Sequence, residues 1–194
     1  SRGVIHSGDV MYDLFMKFSR KKEKNRKPFV LATLHRPINT DNQDKLTSII
    51  AGLEKINKTK KVIFPVHPRT IDKINKINIK SKISLSPPFD YIKMVKHLIN
   101  ADLVITDSGG VQKEAFFAKT KCVTIRDETE WTELIDIGVN YLCESSETAI
   151  WSAYMNMSEK NCDFSPKLYG SGKSVRIIVK EIKEFLSHRS DFND

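Results

Sequence analysis

What this sequence lacks narrows its function before any motif is considered. No apolar run approaches the roughly 20 residues that span a bilayer, and the start has no signal-peptide pattern. A cytoplasmic location with no membrane partner is therefore expected. Cysteine is scarce: Cys122, Cys143 and Cys162 are odd in number and far apart, which suits a reducing compartment better than a disulfide framework. His35 and His67 have no evident carboxylate or cysteine as a third ligand, so neither a metal nor a cofactor is expected. There is no Walker A loop and no complete dinucleotide fingerprint. No Ser-His-Asp order or nucleophile elbow stands out, and no pair of carboxylates reads as poised for acid–base work. If the parent protein is an enzyme, its proton-transfer groups are expected elsewhere.

Positive charge is plentiful, with a formal net charge of +8. Much of the excess lies in Lys17 to Lys27 and Lys55 to Lys61. Neither stretch interleaves the stacking aromatics of a single-strand binder. Solvated helix ends account for them, no nucleic-acid partner is expected, and small anionic substrates remain compatible.

The chain of 194 residues is long enough for one well-buried domain or two small ones. Ser1 to Arg20, with Gly3 near its start and an apolar Val10–Met16 run suited to a helix, reads as the tail of something upstream. A charged connector leads to Pro28. Strands are expected at 29–34, 62–66, 83–85, 102–106, 122–125 and 140–143. Helices are expected at 45–56, 70–77, 91–100, from 111 onward, 148–157 and 175–186. Asn39 to Asp41 reads as a polar loop, and Arg126 with Glu130 and Glu133 as a loop segment. Strand and helix alternate with short links, which predicts an α/β doubly wound parallel sheet. The organisation expected is a connecting segment over 1–27, the sheet domain over 28–172 and a terminal helix over 173–194.

The chain is organised around Asp102 to Ala115. A branched apolar run, an Asp-Ser pair and two glycines lead into a helix. Free amides at a helix start, with no Cβ on Gly109 or Gly110 to block approach, form either an anion site or an ordinary capped turn. Ser108 adds a hydroxyl, Glu114 is placed to accept from a sugar hydroxyl, and Asp107 is suited to bracing the turn. His35-Arg36, His67-Pro68-Arg69, Asp107-Ser108 and Arg126 each follow a strand. In such sheets those ends share one edge, where ligands bind. Each pair taken alone serves equally as a solvated strand end. Trp131 reads either as core filler or as a sugar-stacking face, and Cys122 as core.

Thr33-Leu34-His35-Arg36, His67-Pro68-Arg69, Thr106 to Ala115 and Arg126 to Glu130 together resemble the non-hydrolysing UDP-N-acetylglucosamine 2-epimerase family. Gly8 to Asp13 is similar to that family's passage out of its first domain. Tyr169-Gly170-Ser171-Gly172 is similar to its segment before the last helix, with Ser171 where an acidic residue is usual. The resemblance implies a single Rossmann-like domain equivalent to the C-terminal half of a GT-B-type protein, with the N-terminal domain missing. The main catalytic carboxylates would belong to that absent domain, and the intact protein would be a homodimer.

By the same resemblance, Ser108, Gly109 and Gly110 hold the diphosphate of a UDP-sugar and Glu114 the ribose. Met94 or its neighbours approach the uracil, and His35 sits at the sugar-nucleotide site as the one catalytic candidate. Arg36 and His67 face the cleft, and Arg126 and Glu130 complete the substrate-binding set. Intact members invert C2 by eliminating UDP and adding it back, here in cell-surface polysaccharide precursor synthesis. Family members commonly carry Arg-Pro after the Thr-Glu pair, where this chain has Trp131-Thr132. Its wording is similar to the branch acting on UDP-2,3-diacetamido-2,3-dideoxyglucuronate. The alternatives are the donor-binding half of a GT-B glycosyltransferase and a non-catalytic UDP-binding module.

Overall fold

The computed structural model describes residues 4–19, 21–77 and 81–190; Gly3 and Arg20 lie outside them. The described chain forms two compact units, Ser19–Phe164 and a second one from Ser1–Phe18 with Ser165–Asp194.

The larger unit holds six parallel strands: β1 (Val30–Thr33), β2 (Val62–Pro65), β3 (Ser84–Ser86), β4 (Leu103–Thr106), β5 (Lys121–Ile125) and β6 (Asn140–Cys143). Their order is β3-β2-β1-β4-β5-β6, the doubly wound arrangement the alternation predicts. Central β1 and β4 are buried along their whole length, whereas the edge strand β3 is largely exposed. This explains why β1 and β4 read as unbroken apolar runs and β3 scarcely does.

Helices cover both faces. On one lie α3 (Gln43–Asn57), α4 (Pro68–Lys76) and α8 (Glu147–Glu159), whose apolar residues join Val30, Ala32, Leu103, Ile105, Val123 and Ile125 in one core. Alternate strand residues Leu31, Val104 and Cys122, aligned in register, are buried outside that core. They serve the face carrying α5 (Tyr91–Asn100) and α6 (Gly109–Phe117). Helix starts follow local chemistry: Asn42, Asp90 and Ser146 each accept a backbone N–H three residues on, and Pro68 opens α4 where its missing N–H costs nothing. Helices α3 and α8 approach closely because Gly52 has no side chain; a Cβ there would meet Ile150 at 3.1 Å.

Two segments expected as loops are short helices. Pro37–Thr40 forms α2, begun by Pro37 and closed by the Asp41 amide donating to its carbonyl. Thr132–Asp136 forms α7. Neither is long enough to show a 3.6-residue apolar period.

The smaller unit contains α1 (Val10–Phe18) and α9 (Ser174–Ser190). Asp9 caps α1 through the Met11 amide, and its own amide donates to Tyr169. The Asp13 carboxylate accepts from the amides of Ser174 and Val175 at the start of α9. Gly8 and Gly170 both have φ near +85°, at 86° and 85°, and they pass in backbone contact; a Cβ on Gly8 would lie 2.6 Å from Ser174 Oγ. Val175, Val179, Ile182, Phe185 and Leu186 leave an exposed apolar stripe along α9. No helix among the described residues is long and apolar enough to cross a membrane.

Ile150 offers a direct check on the larger core. It is fully buried, so Ile150→Ala should cost about 2–5 kcal/mol, read from urea unfolding by circular dichroism. A loss under about 1 kcal/mol would contradict the α3–α8 packing.

Candidate functional site

Strand register decides where the polar residues meet. Thr33, Thr106 and Thr124 lie side by side across β1, β4 and β5. Each strand then leaves the sheet, so the residues two positions on, His35, Ser108 and Arg126, emerge along one carboxyl edge. Carrying the Leu31–Ile63 pairing four residues further brings His67 level with His35 in the same row. Between β1 and β4 the strand order reverses, which opens the crevice such sheets use for ligands.

Asp107 binds the two sides of that crevice together. It is fully buried, and its carboxylate accepts from the His35 amide at 3.0 Å, the Arg36 amide at 2.9 Å and Asn39 Nδ2 at 3.1 Å. Beneath it, the hydroxyls of Thr33 and Thr106 meet at 2.6 Å, and Thr106 Oγ1 accepts from the Ser108 amide at 3.0 Å. The loops after β1 and β4 are thereby fixed to each other. Burying a carboxylate requires such partners, and here the chain supplies three.

Ser108 caps α6, accepting from the Val111 amide over a long 3.4 Å. Glu130 is packed directly over Gly109, where a Cβ would collide with Glu130 Oε1. The Glu130 Oε2 atom accepts from Arg126 Nη1 at 2.7 Å. Its own backbone amide, the Arg126 guanidinium and the charge of Arg36 hold the Glu130 carboxyl below the usual range, although burial opposes this. Arg36, Arg126 and Glu130 thus gather beside the α6 amino terminus, itself partly positive. The expected loop pair is real, but its arginine side chain is only 9% exposed. Arg36, Lys45, Arg126, Asp127, Glu128 and Ser145 line an adjacent pocket of about 330 Å³.

A second set of contacts holds the 126–131 loop in place. Gln112 Oε1 accepts from Thr129 Oγ1 at 2.7 Å and from Asn140 Nδ2 at 3.0 Å. The Trp131 indole donates to the Gly109 carbonyl at 3.0 Å, and Lys113 Nζ lies 4.2 Å from its ring centroid. Trp131 therefore packs against the first turn of α6.

Glu114 is buried further along α6. Burial raises its pKa, while a hydrogen bond from Tyr91 and the charge of Lys113 act the other way. Burial and Glu114 push the Tyr91 hydroxyl up to about 12. Met94 is half-buried one turn beyond Tyr91 on α5. His35 has an exposed side chain and is anchored through its backbone. His67 is exposed, its Nδ1 accepting from the Arg69 amide at 3.3 Å. Among the described residues, no hydrogen bond or ion pair joins His67 to the Arg36–Ser108–Glu130 group. Sequence reasoning overlooked Asn39, Tyr91 and Asn140, and gave Gln112 and Thr129 no role. Their polarity within otherwise buried elements is the one signal that marks them.

Three comparisons with known proteins agree. A family model described as UDP-N-acetylglucosamine 2-epimerase matches residues 1–183. The chain is 38% identical over 183 residues to a Pseudomonas aeruginosa UDP-2,3-diacetamido-2,3-dideoxy-D-glucuronate 2-epimerase, covering 91% of this chain and 52% of that protein. It is also 38% identical over 171 residues to a Methanococcus maripaludis UDP-N-acetylglucosamine 2-epimerase, covering 84% of this chain and 46% of that one. The Methanocaldococcus jannaschii UDP-GlcNAc 2-epimerase, solved in complex with UDP-GlcNAc and UDP, superposes with a TM-score of 0.82 at 31% identity, over 92% of this chain and 54% of that one. The chain spans about half the length of the curated relatives it matches.

The clamp can be tested without any ligand. Asp107→Ala leaves three donors unpaired and should cost about 3 kcal/mol in urea unfolding. Asp107→Asn, which keeps one acceptor, should cost roughly half that. Equal stability of all three proteins would rule out the clamp.

Proposed function

The chain belongs to the UDP-N-acetylglucosamine 2-epimerase family, and on that premise we propose that it is the UDP-binding half of a sugar-nucleotide 2-epimerase. The observation that carries this reading is the row of His35, Ser108 and Arg126 on one sheet edge, beside the amino terminus of α6. The amides of Gly109 and Gly110, with the Ser108 hydroxyl, hold the diphosphate. Glu114, positioned by Tyr91, accepts from the ribose hydroxyls, and the backbone around Met94 meets the uracil. His35, Arg36 and His67 face the sugar side, with Arg126 and Glu130 flanking it.

In the intact enzyme, a base removes the proton at C2 while the C1–O bond breaks and UDP departs with the electron pair. UDP then adds back to C1 of the glycal as a proton reaches C2 from the opposite face. Fixed donors around the departing diphosphate stabilise its charge as it develops. Among the described residues, the carboxylates that line this edge pocket, Asp127 and Glu128, and the nearby Glu130 belong to one loop, in which Glu130 pairs with Arg126. The proton-transfer groups are assigned to a second Rossmann-like half. The exposed apolar stripe on α9 supports such a partner domain, because contiguous apolar surface marks contact sites. The intact protein is proposed to be a cytoplasmic homodimer serving cell-surface polysaccharide synthesis. Trp131-Thr132, standing where family members commonly carry Arg-Pro, supports the diacetamido-glucuronate branch.

Calorimetry should show UDP binding to this chain, weakened roughly tenfold or more by Ser108→Trp, since each charged hydrogen bond lost costs about 1.5–3 kcal/mol. No heat with UDP or UDP-sugars would sink the assignment. The chain alone should incorporate no solvent deuterium at C2 of any UDP-sugar, and robust exchange would reveal a base in this half. Tyr91→Phe removes a donor that favours the charged form of Glu114, so its carboxyl pKa rises further. The loss of UDP affinity on acidification should then begin at higher pH than in the unsubstituted protein. An unchanged profile would remove Glu114 from the ribose site.

A further inference from the structure

The opposite edge of the sheet, where strands begin, carries a feature that nucleotide-sugar binding leaves unused. A pocket of about 480 Å³ opens there between the starts of β4 and β5 and the end of α8, lined by Lys22, Lys60, Asp102, Lys119, Lys121 and Tyr154 among others. Its lysines come from separate parts of the chain. Lys22 and Lys60 belong to the two basic stretches noted in the sequence, and Lys119 and Lys121 flank the entry to β5. Tertiary structure has brought dispersed charge into one concavity.

Hydrogen bonds locate three of the ammonium groups at its wall. Lys22 Nζ donates to the Ala101 carbonyl at 3.3 Å. Lys60 Nζ donates to Asp102 at 2.9 Å. Lys121 Nζ donates to the carbonyls of Ser158 and Lys160 at 2.8 and 2.9 Å. An ammonium has three N–H donors, so each of the three retains donors beyond those contacts. Asp102 is the lone carboxylate in the lining, and Arg26 shares it with Lys60.

The backbone shows how Lys119 is placed. Lys119 is the single non-glycine among the described residues with positive φ, at 55°, just past the end of α6. Glycine is the residue that fits this position without strain. This is the left-handed position of the cap that ends α6, where the Lys119 amide donates to the Phe116 carbonyl and the Thr120 amide to the Ala115 carbonyl, and it sets Lys119 in the pocket lining. Burial and the neighbouring Arg26 push the Lys22 ammonium below its usual pKa, partly offset by Asp102.

We propose that this pocket is a second anion site, separate from the UDP edge, that takes a compact phosphorylated small molecule on Lys22, Lys60, Lys119 and Lys121. Lysines offer point charges with rotatable donors, which suits a phosphate chain more than a planar carboxylate. A regulatory polyphosphate or nucleotide is the class of ligand that fits.

The test uses inorganic triphosphate as the probe, titrated calorimetrically at low salt into the chain with UDP saturating, and separately into Ser108→Trp. Binding should persist in both. Lys22→Glu and Lys119→Glu, each on an exposed or loop position, should weaken it roughly tenfold or more while leaving UDP affinity unchanged. Circular dichroism on each variant confirms that the fold is intact. Absence of triphosphate binding, its displacement by UDP, or indifference to both lysine reversals would overturn the proposal.

Discussion

The buried carboxylate of Asp107 is the constraint on which the rest of the edge depends. A parallel sheet provides six strand ends but does not determine how the loops beyond them are arranged. By accepting the amides of His35 and Arg36 and the side chain of Asn39, Asp107 converts two independent loops into one rim. Ser108 and the glycines that begin α6 follow immediately, so their placement follows from the same residue. The Gln112–Thr129–Asn140 contacts do the equivalent work on the β5 side. What the site can bind is decided by the outer residues, and how they converge is decided by this polar layer beneath.

That division explains what the sequence disclosed and what it hid. Strands and helices were legible because central β1 and β4 are apolar on both faces and the amphipathic helices repeat cleanly. The rim was legible because His35, Ser108 and Arg126 each follow a strand, and a parallel sheet places such positions together. Its bracing was not legible in the same way. Asn39 and Asn140 look like loop and edge polarity until their neighbours are known, and Tyr91 becomes meaningful only when α5 is seen to lie against Glu114. Helices α2 and α7 were missed because one turn carries no period. The family resemblance pointed to residues on the rim more readily than to those that hold them still.

Charge is also distributed with more order than a net value conveys. At the carboxyl edge, arginines are countered by Glu130 and by nearby acidic residues of the same loop. At the amino edge, lysines from three segments, Lys22, Lys60 and Lys119 with Lys121, line a pocket that holds the carboxylate of Asp102. One sheet therefore presents two electrostatically distinct rims, separated by the length of its short strands, and a composition figure cannot tell these apart.

The placement of Glu130 over Gly109 has a consequence for how any diphosphate arrives. The start of α6 is not bare cationic ground; it already has a resident counter-ion belonging to the protein. A diphosphate docking there, as proposed, would meet Glu130 and its Arg126 partner at the first turn of α6. The diphosphate of a UDP-sugar carries more negative charge than that one carboxylate, so the 126–131 loop would register its arrival through Glu130.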